Sequence, residues 1–527
     1  MKYVTAKVLK PQLTDGDEIA LLDVREHGQY GEGHPFFSVN LPYSRFEALA
    51  EALLPCRAVR CVVFDDGDGV AEKAARVLEE LGYADVRMLQ GGAPAWAAAG
   101  YTLFKGVNVP SKTFGEMVEH EMGTRAIAAE ELKAMLDAGK PVTLLDGRSP
   151  KEFQKMSLPG ARSCPNAELA YRLPQMVADE STPIVVNCAG RTRSIIGAQT
   201  LRELGVANPI FALRNGTQGW RLAGFELDRG RAPGRLPALA PDQLAETALK
   251  AERLIAELAL PTVDLKTLEA WLADPTRSTY LLDVRTAEEF AEAHLPGARS
   301  APGGQLVQAI DEKVAVRNAR IVLTDDTQLR AATTAMWLTG MGHQAWILKA
   351  DASKGSDRGP ETTPAGAEDT LNSSEIPACL AAGAVLLDAS RGLDYQDAHV
   401  EGAHWATRAR LEDLGLPADA RIIVTGRDRV LIAGVAKDLC SLGHGRVDTV
   451  AGAPESWRAA GLNVVATPEL PSEADCIDFL FFVHDRHDGN LEAARRYLAW
   501  ELGLLEQIDD QERSVLRPEL LKRKERV

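Results

Sequence analysis

A fourfold internal repeat constrains this chain more than any other feature of its sequence. A Leu-Leu-Asp ending recurs at Leu21-Leu22-Asp23-Val24-Arg25, Leu144-Leu145-Asp146-Gly147-Arg148, Leu281-Leu282-Asp283-Val284-Arg285 and Leu386-Leu387-Asp388-Ala389-Ser390. A turn of the form His-x-Pro-Gly-Ala follows each at a similar distance. It is complete at His294-Leu295-Pro296-Gly297-Ala298, partial at residues 157–161 and 399–403, and degenerate at 34–38. Next come the β-branched runs Cys61-Val62-Val63-Phe64, Ile184-Val185-Val186-Asn187, Ile321-Val322-Leu323-Thr324 and Ile422-Ile423-Val424-Thr425. An apolar-striped segment then stops at Gly82, Gly205, Gly342 and Gly443, and three repeats close on a tryptophan, Trp96, Trp220 and Trp457. Short apolar runs without alternation are strands buried on both faces, and helical stripes between them imply parallel βαβ crossovers. The pattern predicts four tandem α/β domains over residues 1–108, 122–230, 250–352 and 368–466, each a small central parallel sheet flanked by helices. Linkers are expected where composition shifts to Pro, Gly and charge, at 106–112, 229–241 and 350–370. A C-terminal extension, 467–527, is expected to hold a strand over 477–483 and a helix over 490–505, before a basic end at 520–527. The helix carries an apolar stripe, Ala494, Leu498, Leu502 and Leu505, suited to packing on a neighbouring domain.

Composition removes several classes of function. The longest wholly apolar runs, such as residues 479–483, fall far short of the ~20 residues that span a bilayer. The first residues carry no apolar targeting segment, so a cytoplasmic location and no membrane partner are expected. With 59 Lys and Arg against 75 Asp and Glu, the net charge of −16 argues against nucleic acid as a partner. The 7 cysteines are odd in number, irregularly spaced and without a CxxC pair, which suits reduced thiols and neither disulfides nor zinc. An anionic substrate would need a local basic pocket in so acidic a chain.

The loop after the third landmark separates one repeat from the other three. Its first residue is Asp65, Cys188, Asp325 and Gly426 in turn, so only the second repeat offers a nucleophile: Cys188-Ala189-Gly190-Arg191-Thr192-Arg193-Ser194. A cysteine between the carboxyl end of a parallel strand and a helix N-terminus stands where α/β sheets bind ligands. Backbone N–H groups of residues 189–194 can curl around its sulfur as an anion nest, and the helix dipole adds to that field. Arg191 and Arg193 add full charges, so the thiolate is favoured over the free thiol, whose pKa is ~8.5.

With these motifs the chain resembles the rhodanese (sulfurtransferase) family over about residues 1–465, and in particular bacterial proteins with four such domains in tandem. The resemblance rests on Leu-Leu-Asp-x-Arg, His-x-Pro-Gly-Ala, the Cys-x-x-x-x-Arg loop and Asn215-Gly216-Thr217-Gln218-Gly219-Trp220. It implies that Cys188 takes a sulfane sulfur from a donor, holds it as a persulfide and passes it to an acceptor, without metal or organic cofactor. It also implies that the repeats with Asp65, Asp325 and Gly426 are inactive. In family terms the six-residue loop from Cys188 to Arg193 is one residue shorter than that of the related cysteine phosphatases and arsenate reductases, which favours sulfur transfer. Basic residues in the loop favour thiosulfate over 3-mercaptopyruvate as donor, with Arg191 and Arg193 on its oxyanion end and the amides of Ala189, Gly190, Thr192 and Ser194 around the sulfur. Cyanide or a thiol, the latter on a small molecule or an acceptor protein, would take the sulfur. A rival reading makes the chain a persulfide carrier or scaffold in which the three other domains bind proteins.

Several further residues have both a functional and a structural reading. Asp146 and Arg148 border the loop and are candidate supporting residues, but Asp283 and Arg285 stand at the same offsets in a repeat without cysteine, which favours a structural pair. Cys164 suits packing better than the role of a resolving thiol. The cluster His484-Asp485-Arg486-His487-Asp488 matches no metal-ligand spacing, and Asp65-Asp66 and Asp325-Asp326 lack the further ligands magnesium requires.

Overall fold

The computed structural model describes residues 1–362, 365–487 and 490–521; Asp488 of the tail cluster and 522–527 of the basic end lie outside them. In the first sheet, Lys2–Val4, Asp85–Leu89, Arg60–Phe64, Ile19–Asp23 and Val39–Asn40 lie side by side in that order, all parallel. The second repeats the order with Ala126–Ile127, Ile210–Leu213, Ile184–Asn187, Thr143–Asp146 and Arg162–Ser163. The third does so with Thr262–Val263, Gln344–Asp351, Arg320–Asp325, Thr279–Asp283 and Arg299–Ser300. The fourth keeps four parallel strands, Val447–Ala451, Ile422–Gly426, Val385–Asp388 and His404–Trp405, and adds an antiparallel pair, His399–Val400 with Val464–Val465.

The landmarks of the repeat acquire physical roles in this frame. Each β-branched run is the central strand, buried along its apolar residues by helices on both faces. The glycines that stop the crossover helices, Gly82, Gly205, Gly342 and Gly443, have φ between 73° and 97°, the left-handed turn that ends a helix most easily with glycine. Trp96, Trp220 and Trp457 are fully buried, and the indole N–H of Trp220 donates to Glu226 O at 2.8 Å. His294 and His399 stack on the aromatic ring four residues earlier, Phe290 and Tyr395, at 3.8 and 3.7 Å between ring centroids. The Asp-x-Arg strand ends are bidentate ion pairs: Arg148 Nε and Nη2 donate to Asp146 at 2.9 and 2.7 Å, and Arg25 with Asp23 and Arg285 with Asp283 do the same.

Two segments depart from the sequence expectation. Residues 106–112 are no free linker: from Val109 they enter a helix, Val109–Met122, whose first ten residues are almost all buried. Residues 477–483 form no strand. They run irregularly to a single helical turn, Phe481–His484, because Ile477 and Leu480 close over glycines of the helix His27–Glu32. A Cβ on Gly28 would stand 2.5 Å from Ile477 O, and one on Gly31 2.3 Å from a Leu480 methyl. The following helix, Leu491–Leu502, is capped by Asn490, whose side chain accepts from Ala493 N at 3.0 Å. Of its expected stripe, Ala494 and Leu498 are buried while Leu502 is exposed. The chain then returns to the first unit, where Lys10 Nζ, nearly buried, donates to Glu512 at 2.6 Å. One continuous apolar core joins the first three units to the tail through Leu504, Ile508, Leu516 and Leu521.

Candidate active site

Cys188 follows the central strand Ile184–Asn187 and precedes the helix Thr192–Glu203, so it stands at the carboxyl edge of the second sheet. The loop is fixed from below by the Gly-rich turn. Thr217 N donates to Cys188 O at 2.8 Å and Gln218 N to Ala189 O at 3.1 Å. Gly216, at φ 53°, permits this approach, since a Cβ there would lie 2.2 Å from Cys188 O. The thiol of Cys188 is 2% exposed and donates to Ser194 Oγ at 3.5 Å, while Ser194 Oγ donates to Arg191 O at 2.7 Å.

The equivalent loops of the first and third units reveal what this backbone does. Asp65 accepts from Gly67 N, Gly69 N and Ala71 N at 2.9, 3.0 and 2.9 Å. Asp325 accepts from Gln328 N at 2.6 Å and Arg330 N at 2.9 Å. In both, the loop amides converge on an anion supplied by the chain itself, the geometry of a nest. In the second unit the residue at that point is the cysteine.

The charged side chains of the loop are held by carboxylates. Arg191 Nε and Nη2 donate to Glu116 at 2.6 and 2.7 Å, and Nη2 also to Glu119, both on the helix Val109–Met122. Arg193 donates to Glu152 at 2.6 and 2.7 Å and to Gln305 of the third unit at 2.8 Å. Burial opposes the charge of Arg193, but Glu152 more than offsets it, with the nearby Cys188 sulfur adding to the effect, so the guanidinium is held above its usual range. Both arginines, expected to face a donor's oxyanion, are thus partnered within the chain; they tie the loop to its neighbours. Asp146 and Arg148 form the buried pair described above, and Asn187 Nδ2 donates to Asp146 at 3.1 Å. Cys164 is buried on all sides and its thiol is pushed well up by desolvation, so it packs.

Cys188 opens on a cavity of about 400 Å³ that no single unit forms. Its walls include Lys112 of the connecting helix, Gln305 and Glu312 of the third unit, and His484, Arg486, Tyr497 and Glu501 of the tail. Glu501 is 2% exposed; its Oε1 accepts from Thr192 Oγ1 at 2.9 Å, and among the described residues its Oε2 has no hydrogen-bond partner. The guanidinium of Arg486 lies 3.4 Å from the centre of the Tyr497 ring. Lys112, Tyr497 and Glu501 escaped the sequence reading, because they lie outside the repeat and up to about 300 positions from Cys188. The one signal available was the tail cluster, of which His484 and Arg486 line the cavity. In the third unit Arg330, at the position of Arg193, is fully buried and donates to Glu168, Glu289 and Asp326 at 2.8, 2.6 and 2.9 Å.

Comparison with known proteins agrees with this architecture. The model of the rhodanese-like domain matches residues 5–99, 128–223 and 264–354, more than half of the chain, and leaves the fourth unit outside. A crystal structure of thiosulfate sulfurtransferase from Pseudomonas aeruginosa is 40% identical and superposes with a TM-score of 0.90, covering 98% of this chain and 99% of that one. The putative thiosulfate sulfurtransferase SseB of Mycobacterium tuberculosis is 30% identical over 179 residues, 29% of this chain and 62% of SseB. The HTH-type transcriptional regulator Rv0324 of the same species is 36% identical over 111 residues, 21% of this chain and 47% of the regulator. The chain thus spans about half to three-fifths of these two curated relatives. Among the described residues, no helix is long and apolar enough to cross a membrane. Three matched segments, the repeated parallel sheets and a full-length structural counterpart place the chain in the rhodanese-like family.

Proposed function

We propose that this chain is a sulfurtransferase that moves sulfane sulfur from an anionic donor, thiosulfate foremost, to cyanide or a thiol through a persulfide on Cys188. The observation that carries the reading is the contrast between loops: the backbone that wraps a carboxylate at Asp65 and Asp325 presents a cysteine to an open cavity at Cys188. In the first half-reaction the Cys188 thiolate attacks the sulfane sulfur of thiosulfate; the S–S bond of the donor breaks and sulfite leaves with the electron pair. In the second, the carbon of cyanide attacks the outer sulfur, the persulfide bond breaks, and thiocyanate departs from the restored thiolate. The nest amides favour the negative charge of the outer sulfur, as oxyanion holes do for oxygen. Ser194 Oγ, 3.5 Å from the thiol sulfur, can turn its hydrogen towards the thiolate. The first and third units are read as silent because their nests are filled by Asp65 and Asp325, and the fourth because Gly426 brings no side chain. The 40% identity to a protein named thiosulfate sulfurtransferase supports the reading.

Steady-state kinetics with thiosulfate and cyanide test it. Two half-reactions through a covalent carrier give parallel double-reciprocal lines as the second substrate is varied. Intersecting lines would mean a ternary complex and remove Cys188 from the role of carrier. Faster turnover with 3-mercaptopyruvate would keep the carrier and reassign the donor.

A further inference from the structure

Resting on the sulfurtransferase reading, we infer that Lys112, on the helix connecting the first and second units, binds the oxyanion end of the donor and selects for small anionic donors. Arg148 is bound to Asp146, Arg191 to Glu116 and Glu119, and Arg193 to Glu152, while Arg486 lies over the Tyr497 ring. Lys155 lies exposed at the rim. Lys112 differs from all of these. It is 5% exposed, and among the described residues no carboxylate lies within ion-pair distance of its Nζ. Its ammonium donates to Val107 O and stands 5.5 Å from the Trp500 ring.

A buried ammonium with no carboxylate in ion-pair contact is costly, and a bound anion would offset that cost. Burial pushes the Lys112 ammonium down to about 7. The charged groups that face it are Glu501 and Arg486 of the tail, Asp311 of the third unit and Arg193 of the loop. One hydrogen of the ammonium is used on Val107 O, which leaves two for oxygens of a ligand in the cavity that Cys188 shares. Glu501 fixes the polarity of that ligand. Its Oε1 is taken by Thr192 at the loop, and its Oε2 is unpartnered, so an oxyanion is repelled from that wall towards Lys112. The donor thereby lies with its charged end at the connecting helix and its sulfane sulfur at Cys188. The selected class is a compact sulfonate-like or carboxylate-bearing donor. An alkyl persulfide has no oxyanion end for Lys112 to hold; its charge sits on the outer sulfur that goes to Cys188.

The experiment uses the full chain in two steps. Binding of thiosulfate to Cys188→Ser, which cannot react onwards, is measured by calorimetry with and without Lys112→Met. Loading of the chain with otherwise native Cys188 is then followed by mass, from thiosulfate and from a simple alkyl persulfide, which carries no oxyanion group. The expected result is thiosulfate binding weaker by about tenfold or more in Lys112→Met, as for a lost charged hydrogen bond. KM for thiosulfate rises to match, while loading from the alkyl persulfide is unchanged. Lys112→Arg should restore most of the thiosulfate affinity, and Glu501→Gln should tighten it. Equal losses with both donors, or unchanged thiosulfate affinity in a folded Lys112→Met, would overturn the inference and leave the persulfide chemistry intact. A chain that acquires no sulfur from either donor would instead overturn the function on which the inference rests.

Discussion

Cys188→Ser should reduce thiosulfate:cyanide sulfurtransfer by about a thousandfold or more, the scale seen when a covalent nucleophile is removed. The serine hydroxyl is a poor nucleophile at neutral pH and cannot hold a sulfane sulfur, so both half-reactions are lost together. Three of the other cysteines are poor substitutes. Cys61, Cys164 and Cys476 are buried thiols, pushed up to about 12, still higher, and about 11, and none stands in a loop between a central strand and its crossover helix. The substitution removes one weak hydrogen bond to Ser194 and no apolar contact of consequence, so the thermal midpoint should stay within about 2 °C of the parent. Appreciable activity in this variant, measured as thiocyanate formed per chain, would mean that another residue carries sulfur.

Arg330→Ala should destabilise the chain by about 3–5 kcal/mol, the cost of leaving buried charges without their partner. Arg330 is fully buried and bridges Glu168 of the second unit to Glu289 and Asp326 of the third, with its guanidinium 4.0 Å from the centre of the Tyr171 ring. Asp325, already held above the ordinary carboxylate range near 7 by burial and by Asp326, would lose the cation that counters both. The matched variant is Arg193→Ala, which frees one carboxylate, Glu152, and one amide, Gln305. Calorimetry should show the first transition lowered by about 5 °C or more in Arg330→Ala and by less in Arg193→Ala. The reverse order would mean that the interface between the second and third units is held elsewhere.

The repeat was legible in the sequence because strand endings, turns and helix stops are local in the chain. A Leu-Leu-Asp run, a positive-φ glycine or a buried tryptophan keeps its meaning wherever the unit is packed, and the four sheets follow from that. The reactive loop was legible for the same reason, as strand, cysteine and helix start are contiguous. What surrounds the loop was not. Arg191 and Arg193 resemble ligands for an anion when only their own loop is in view, but Glu116 and Glu152 lie 75 and 41 residues away and reach them only in the folded chain. Residues 477–483 invited a strand because short apolar runs carry no periodicity that separates strand from helix. Packing against Gly28 and Gly31 decided the matter. Lys112 lay in a stretch whose glycine and proline suggested a linker, yet Asn108 at φ 56° turns the chain into a helix that forms one wall of the cavity.

The central claim, that Cys188 alone carries the sulfur, is tested most directly by mass spectrometry of the whole chain and its peptides after treatment with thiosulfate. About 32 Da should be added once per chain, the mass of a single sulfur on the persulfide rung of cysteine chemistry, located on the peptide containing Cys188. Cyanide should remove it with one thiocyanate released per chain. Added mass on a peptide containing any of Cys56, Cys61, Cys164, Cys379, Cys440 or Cys476, or none on that of Cys188 while thiocyanate is still produced, would contradict the account.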